Sequence, residues 1–180
     1  INAITVHEGD KLLDVSLTDG DNDVVIAKNS GTAIHFHESD VRSMGRTAAG
    51  VRGIYLKEDQ FVVGMVCIKK DATSDLLVVS EKGYGKRSDL CDYRITKRGG
   101  KGVKTINVTE KTGALVAIKA VVDEDELMII NKSGIAIRLP VDQLRVMGRA
   151  TQGVKLINLK ENDSIAAVAS LKMLTKVPSL

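Results

Sequence analysis

Short apolar runs recur along the chain, and each is bounded by charged or polar residues. Three of them, at residues 24–28, 76–80 and 127–131, read VVIAK, LLVVS and LMIIN. Apolar runs of this length are typical of strands that are buried on both faces. A glycine-containing turn follows each run, and the first turn leads into an alternating stretch at residues 33–37. This arrangement predicts a series of β-hairpins.

The hairpins belong to a longer unit that repeats along the chain. After each hairpin a segment crosses to a Gly-Val-basic strand such as GVRGIYL, and a charged turn then leads to a last apolar strand such as FVVGMVCI. Each unit is therefore predicted to contain four strands. Two sets of glycines mark the period, each with spacings of 52 and 51 residues: Gly31, Gly83 and Gly134, and Gly50, Gly102 and Gly153.

Three such units span residues 23–72, 75–122 and 125–171, and residues 1–20 match the closing half of another unit. Residues 1–170 thus hold about three and a half units, and residues 171–180 form a tail outside the pattern. Four strands at this period predict an all-β, propeller-like array of four-stranded blades. Only residues 40–44 and 141–147 show weak signs of a helical turn.

The segment that crosses from the second to the third strand of each unit is rich in basic residues. Because equivalent loops of a repeat array lie along one rim, these side chains should form a curved positive stripe. Such a stripe suits the regularly spaced phosphates of duplex DNA, and neighbouring glycines allow a close backbone approach. The predicted DNA contacts are Arg42, Arg46, Arg52, Lys86, Arg87, Arg94, Lys97, Arg98, Lys101, Lys104, Arg138, Arg145, Arg149 and Lys155.

Composition narrows the function classes further. The 26 basic and 23 acidic residues give a net charge of only +3, so the position of the charges matters more than their sum. Aromatic residues make up 3% of the chain, which argues against a stacking platform for single-stranded nucleic acid. Cys67 and Cys91 match no zinc or redox motif. No signal peptide is visible and no apolar run approaches the ~20 residues of a membrane span, so we expect a cytoplasmic protein.

The strings VRSMGRTAAGVRGI, GYGKR and VMGRATQGVKLI recur in order and at the right period. On these strings the chain resembles the C-terminal domain of bacterial DNA gyrase A over residues 1–170. That family folds as a β-pinwheel, a relative of the propeller in which neighbouring blades exchange strands. The resemblance implies the same fold here, as a partial array because the family domain has more blades than this chain supplies.

The resemblance also implies a function within an ATP-dependent type II topoisomerase that introduces negative supercoils. The domain would wrap duplex DNA around its outer rim, while the catalytic tyrosine, ATP and magnesium belong to other domains. The implied partners are duplex DNA, the remainder of gyrase A, and gyrase B, without a cofactor, a small-molecule substrate or a membrane. Residues 96–102 (TKRGGKG) resemble the family's basic box but lack its Gln. The related domain of topoisomerase IV therefore stays an alternative.

Two other function classes, an enzyme and a protein-binding propeller, remain open at this point. His35 and His37 face the same side of a predicted strand, but only His7 could add a third ligand, so a metal site is disfavoured. A nucleotide-binding loop is disfavoured as well, because a strand rather than a helix follows residues 98–101. A propeller that binds a protein instead of DNA would use the same fold, and its binding would lack a steep salt dependence.

Overall fold

The computed structural model describes residues 1–172, which form strands, turns and three single-turn 3-10 helices. Residues 173–180 of the predicted tail lie outside the described residues. The strands are β1 Asn22–Lys28, β2 Thr32–His37, β3 Val62–Lys69, β4 Asp75–Ser80, β5 Tyr84–Asp89, β6 Val103–Lys104, β7 Leu115–Val121, β8 Glu126–Asn131, β9 Ala136–Pro140, β10 Val154–Lys155 and β11 Ile165–Leu171.

Within residues 1–172 the strands form three antiparallel sheets, which we call blades. Blade 1 has the order β3-β1-β2-β6, blade 2 the order β10-β5-β4-β7, and blade 3 the order β11-β8-β9. The short strands β6 and β10 come from the second and third units, so each of them completes the blade of the preceding unit. This exchange of strands is the β-pinwheel arrangement, and it confirms the predicted all-β, propeller-like fold class.

The exchange changes the strand count that the repeat predicted. The four strands of a unit do not belong to one sheet, because the third strand pairs with the hairpin of the neighbouring unit. Residues 51–56 were expected to form such a third strand and form none. β6 pairs with β2 and β10 with β5, in each case with the hairpin of the preceding unit. Residues 51–56 belong to the first unit, and residues 1–20 before that unit form no hairpin with which they could pair.

β4 illustrates why the blades stack on one another. Its side chains alternate, so Leu76 and Val78 pack in one core with Val25 of blade 1. Leu77 and Val79 point to the other side and pack in a second core with residues of blade 3. All of these side chains are buried. Each contributes about 1.5–3 kcal/mol relative to an exposed position, so the faces of a blade are stabilised mainly by its neighbours.

Residues 1–20 form no strand in the structure. They are held in part by a backbone contact in which the N–H of Thr5 donates to the carbonyl oxygen of Ala48 at 3.1 Å. The same contact recurs one and two periods later, between Tyr55 and Gly100 at 2.9 Å and between Asn107 and Thr151 at 3.1 Å. Neighbouring units are thus joined by backbone hydrogen bonds as well as by their cores.

The weak helical signals correspond to single turns. The 3-10 helices lie at Glu38–Asp40, Leu90–Asp92 and Val141–Gln143, at equivalent places after β2, β5 and β9. The helical turn predicted at residues 40–44 overlaps the first of them only at Asp40, the one predicted at residues 141–147 contains the third, and none was predicted for the second. Among the described residues, none of the helices has the length and apolar character needed to cross a membrane.

Candidate nucleic-acid interface

The segments that cross between units lie at the outer edges of the blades. We call residues 38–50, 90–102 and 141–153 the crossing segments. At the inner side β3 packs against β7 and β7 against β11, whereas β6 and β10 form the opposite edges of their sheets. The second crossing segment lies along β2, where the N–H of Thr96 donates to the carbonyl oxygen of His35 at 2.8 Å.

Three predicted DNA contacts converge on one groove. The second crossing segment and β2 enclose a groove of about 330 Å³, and Arg94, Lys97 and Lys101 line it. All three side chains are exposed. The lining contains no carboxylate, so the groove carries uncompensated positive charge. An arrangement of this kind favours an anion such as a phosphate group.

Most of the other predicted contacts are also exposed. With the exception of Arg138, the exposed ones belong to the crossing segments or to the Gly-Val-basic stretches that follow them. The exposed residues are Arg42, Arg46, Arg52, Arg94, Lys97, Lys101, Lys104, Arg138, Arg145 and Lys155. Arg42, Arg94 and Arg145 occupy one repeat position and Arg52, Lys104 and Lys155 another, whereas Lys97 and Lys101 occur in unit 2 alone.

The recurrent arginine of the crossing segment is half-buried in units 2 and 3. Arg98 donates from Nε to the carbonyl oxygen of Asp40 at 2.8 Å and from Nη1 to that of Arg52 at 3.2 Å. Arg149 makes the equivalent bonds, with Asp92 at 3.0 Å and with Lys104 at 2.8 Å. Both arginines thus contact the backbone of the preceding unit.

Lys86 does not lie at the surface, contrary to the prediction. The side chain is only 1% exposed, and its ammonium group donates to the carbonyl oxygen of Gly148. Burial lowers the pKa of Lys86 from 10.5 to about 8; Asp92 acts in the opposite direction, and Arg149 lowers the pKa further. A buried, engaged ammonium cannot reach a phosphate on the outside, so Lys86 is removed from the interface.

Arg87 is the second prediction that the structure corrects. It is 8% exposed, it forms ion pairs with Asp75 and Asp123, and its Nε donates to the carbonyl oxygen of Leu144. Burial raises the pKa of the Asp75 carboxyl, and the positive charge of Arg87 opposes that rise. Arg87 therefore joins blade 2 to unit 3 and leaves no donor array facing outward.

The position of Arg87 is occupied by a potential cation in every unit. His35 stands there in unit 1 and Arg138 in unit 3, and the acids that face them are Asp23 and Glu126. Sequence reasoning missed these pairs, although the acids and their partners repeat with the same spacing as the glycines. Arg138 is exposed but its charge is balanced by Glu126, so it contributes less to the positive stripe than the crossing segments do.

The histidines have separate environments. His35 donates from Nδ1 to the carbonyl oxygen of Tyr93, whereas His37 contacts Ser39 and Asp21. Among residues 1–172 no group of three or more His, Cys, Asp or Glu side chains is placed to hold a metal ion.

Comparison with known families agrees with this architecture. The family described as DNA gyrase C-terminal domain, beta-propeller, matches residues 22–69, 74–121 and 125–172. The chain belongs to this family. Each matched range corresponds to one repeating unit, and each holds the hairpin and the crossing segment described above.

Individual proteins and solved structures are also similar to this chain. DNA gyrase A of Staphylococcus aureus (strain MRSA252) is 44% identical over 170 residues, covering 94% of this chain and 19% of the relative. The chain thus spans about a fifth of the length of that relative. A solved DNA gyrase A C-terminal domain is 31% identical with a TM-score of 0.77, covering 84% of this chain and 51% of that one.

The C-terminal domain of DNA topoisomerase IV shares the fold. Its crystal structure matches with a TM-score of 0.88 and 24% identity, covering 94% of this chain and 53% of that one. The likeness to topoisomerase IV concerns the fold, while the sequence relation is to DNA gyrase A.

Proposed function

We propose that this chain binds duplex DNA without sequence specificity along the outer edges of its blades and bends it. The observation that carries the proposal is the acid-free groove lined by Arg94, Lys97 and Lys101. The exposed side chains of Arg42 and Arg52 in unit 1 and of Arg145 and Lys155 in unit 3 would extend this positive surface to the neighbouring units. Membership of the gyrase C-terminal domain family supports DNA as the polyanion.

The proposed context is a bacterial DNA gyrase that introduces negative supercoils with ATP. In that enzyme the remainder of gyrase A, together with gyrase B, would carry out strand passage, and this chain would present the bent DNA to them at the nucleoid. The chain itself would perform no bond chemistry. Its contribution would be to set the direction of the DNA bend, which favours one sense in which two segments of the DNA cross.

The energetics are compatible with such a function. Bending 20–30 base pairs by 40–90° costs about 1–6 kcal/mol. Phosphate contacts must offset that cost, and about six of them would make the affinity fall about 10³-fold between 50 and 200 mM salt. The exposed cations of the crossing segments and following strands are numerous enough to supply six contacts. Because few side chains would reach base edges, sequence preference should arise from DNA deformability.

Fluorescence anisotropy with a linear duplex at several salt concentrations tests DNA binding. The variant K97E/K101E/K104E changes three exposed lysines of the stripe. We expect it to bind at least about 100-fold more weakly at 100 mM salt, with a salt slope lower by about 3. The matched control K111E/K132E/K160E makes the same charge change at exposed turns outside the crossing segments and should keep most of the affinity.

Equal losses in both triple variants, or wild-type binding without a salt slope, would overturn the proposal. The second outcome would favour a propeller that binds a protein partner. Ligation of nicked circles on the bound protein tests the bending separately. We expect the chain to trap less writhe than a gyrase A C-terminal domain with more blades, because the three blades of residues 1–172 follow a shorter arc.

A further inference from the structure

Arg98 and Arg149 each join two separate segments of the preceding unit through a pair of hydrogen bonds, which we call the clamp. One acceptor is the last residue of a 3-10 turn, Asp40 or Asp92, and the other is the basic residue of a Gly-Val-basic stretch. The guanidinium group lies between these two carbonyl oxygens. The same geometry occurs at both unit junctions, so it is a property of the repeat and not of one loop.

Both joined segments carry a predicted DNA contact. In the first junction the acceptor carbonyls belong to Asp40, two residues before Arg42, and to Arg52 itself. The clamp therefore gathers Arg42, Arg52 and Arg98 from two units. The second junction gathers the equivalent residues Arg94, Lys104 and Arg149.

The clamp preserves the positive charge of its junction. Carbonyl oxygens are neutral acceptors, and among residues 1–172 neither Arg98 nor Arg149 forms an ion pair with a carboxylate. Guanidinium is suited to this task because its N–H groups form a rigid planar fork that can satisfy two acceptors at once. The ammonium group of lysine carries the same charge as a point and has no such fork.

We propose that Arg98 and Arg149 are positioning residues, which hold the basic side chains of the preceding unit in place for phosphate contact across each junction. This inference rests on the proposed function. It predicts that the shape of the guanidinium matters more than its charge. Replacing either arginine with lysine should release the neighbouring segment while leaving the net charge of the protein unchanged.

The test measures the duplex affinity and salt slope of the 180-residue chain and its variants by anisotropy. We expect Arg149→Lys to weaken binding about tenfold near 100 mM salt and to lower the salt slope by about 1, because Lys104 loses its phosphate. Arg98→Lys tests the other junction independently, and we expect a similar loss of affinity and a similar decrease in the salt slope. Lys132→Arg is the control for an exchange of lysine and arginine at constant charge, since Lys132 is exposed in a turn outside the crossing segments, and it should keep the affinity and salt slope of the wild type.

A double-mutant cycle separates positioning from a general loss of structure. In the wild-type background Lys104→Gln should weaken binding about tenfold, whereas in the Arg149→Lys background it should cost less than about twofold. Thermal unfolding by circular dichroism checks that each variant is folded. If Arg149→Lys is not folded, the cycle is made at the other junction with Arg98→Lys and Arg52→Gln.

Three results are distinguishable. If the wild-type chain shows no salt-dependent DNA binding, the proposed function itself fails. If the wild type binds but Arg149→Lys and Arg98→Lys keep its affinity and slope, the positioning inference is wrong and the proposed function stands. An equal cost of Lys104→Gln in both backgrounds would likewise overturn the inference.

Discussion

The imidazole Nδ1 of His35 lies 2.7 Å from the carbonyl oxygen of Tyr93, and this hydrogen bond joins blade 1 to unit 2. His35 is 4% exposed and Tyr93 1%. We expect His35→Ala to lower the free energy of unfolding by about 2–3 kcal/mol, because a buried carbonyl loses its donor and a cavity is left. Urea unfolding followed by circular dichroism measures the change.

His37→Ala is the matched control for this prediction. His37 lies two residues further along β2, and it contacts Ser39 and the exposed Asp21 at the surface. An exposed pair of this kind contributes about 0–1 kcal/mol. Equal destabilisation by His35→Ala and His37→Ala would show that the contact with Tyr93 adds nothing to the joint between the blades.

Arg87→Gln tests whether Arg87 is a structural residue. The substitution removes the ion pairs with Asp75 and Asp123 from a buried position. We expect the free energy of unfolding to fall by about 2–4 kcal/mol, because the partly buried carboxylate of Asp75 loses its cation and the carbonyl oxygen of Leu144 loses its donor. DNA affinity of the folded protein should stay within about threefold of the wild type, since no phosphate contact is lost.

Arg138→Gln provides the comparison for Arg87→Gln, because Arg138 occupies the equivalent position in unit 3 with a side chain that is 58% exposed. Its pair with Glu126 should contribute less than about 1 kcal/mol. A loss of DNA affinity beyond about tenfold in Arg87→Gln, with stability unchanged, contradicts the structural assignment.

The hairpins were predictable from sequence because their signals are local. The apolar run of β4 and the turn that follows it fix a hairpin without reference to the rest of the chain. The strand with which β6 pairs could not be predicted from local sequence signals. Residues 103–104 could pair with their own hairpin or with that of unit 1, and only the packing of blade 1 against blade 2 decides.

The buried cations could not be located from sequence for a related reason. In β5 the residues YGKRSD read as an exposed strand, yet Lys86 and Arg87 are buried because the third crossing segment covers them. Their acceptors include the carbonyl oxygens of Gly148 and Leu144. Since every residue has a carbonyl group, no residue type in the sequence marks these contacts.

Lys86→Met should change how stability depends on pH. Burial lowers the pKa of Lys86 to about 8 in the folded chain, so between about pH 8 and 10.5 the unfolded chain binds more protons and stability rises with pH. Below pH 8 the buried charge costs about 1–3 kcal/mol, which the methionine removes. Gly148 keeps two donors, the N–H and the hydroxyl of Thr151.

The measurement for Lys86→Met is urea unfolding at pH 7, 8, 9 and 10. We expect the variant to be more stable than the wild type at pH 7 and to lack the rise in stability above pH 8. Lys97→Met, at an exposed lysine, should keep the wild-type profile. A variant that is less stable at pH 7 and retains the rise would mean that another group titrates.

Gly102→Ala and Gly50→Ala compare the same repeat position with and without a neighbouring strand. Both glycines have positive φ, +78° and +89°, so alanine is strained at either place by about 1–2 kcal/mol. At Gly102 an added Cβ would also lie 2.5 Å from the carbonyl oxygen of Ala33, because β6 pairs with β2, whereas at Gly50 it meets nothing within 4 Å. We expect Gly102→Ala to cost about 1–3 kcal/mol more than Gly50→Ala, by urea or thermal unfolding. Equal costs would mean that the backbone of β2 yields freely and that the exchanged strand is held loosely.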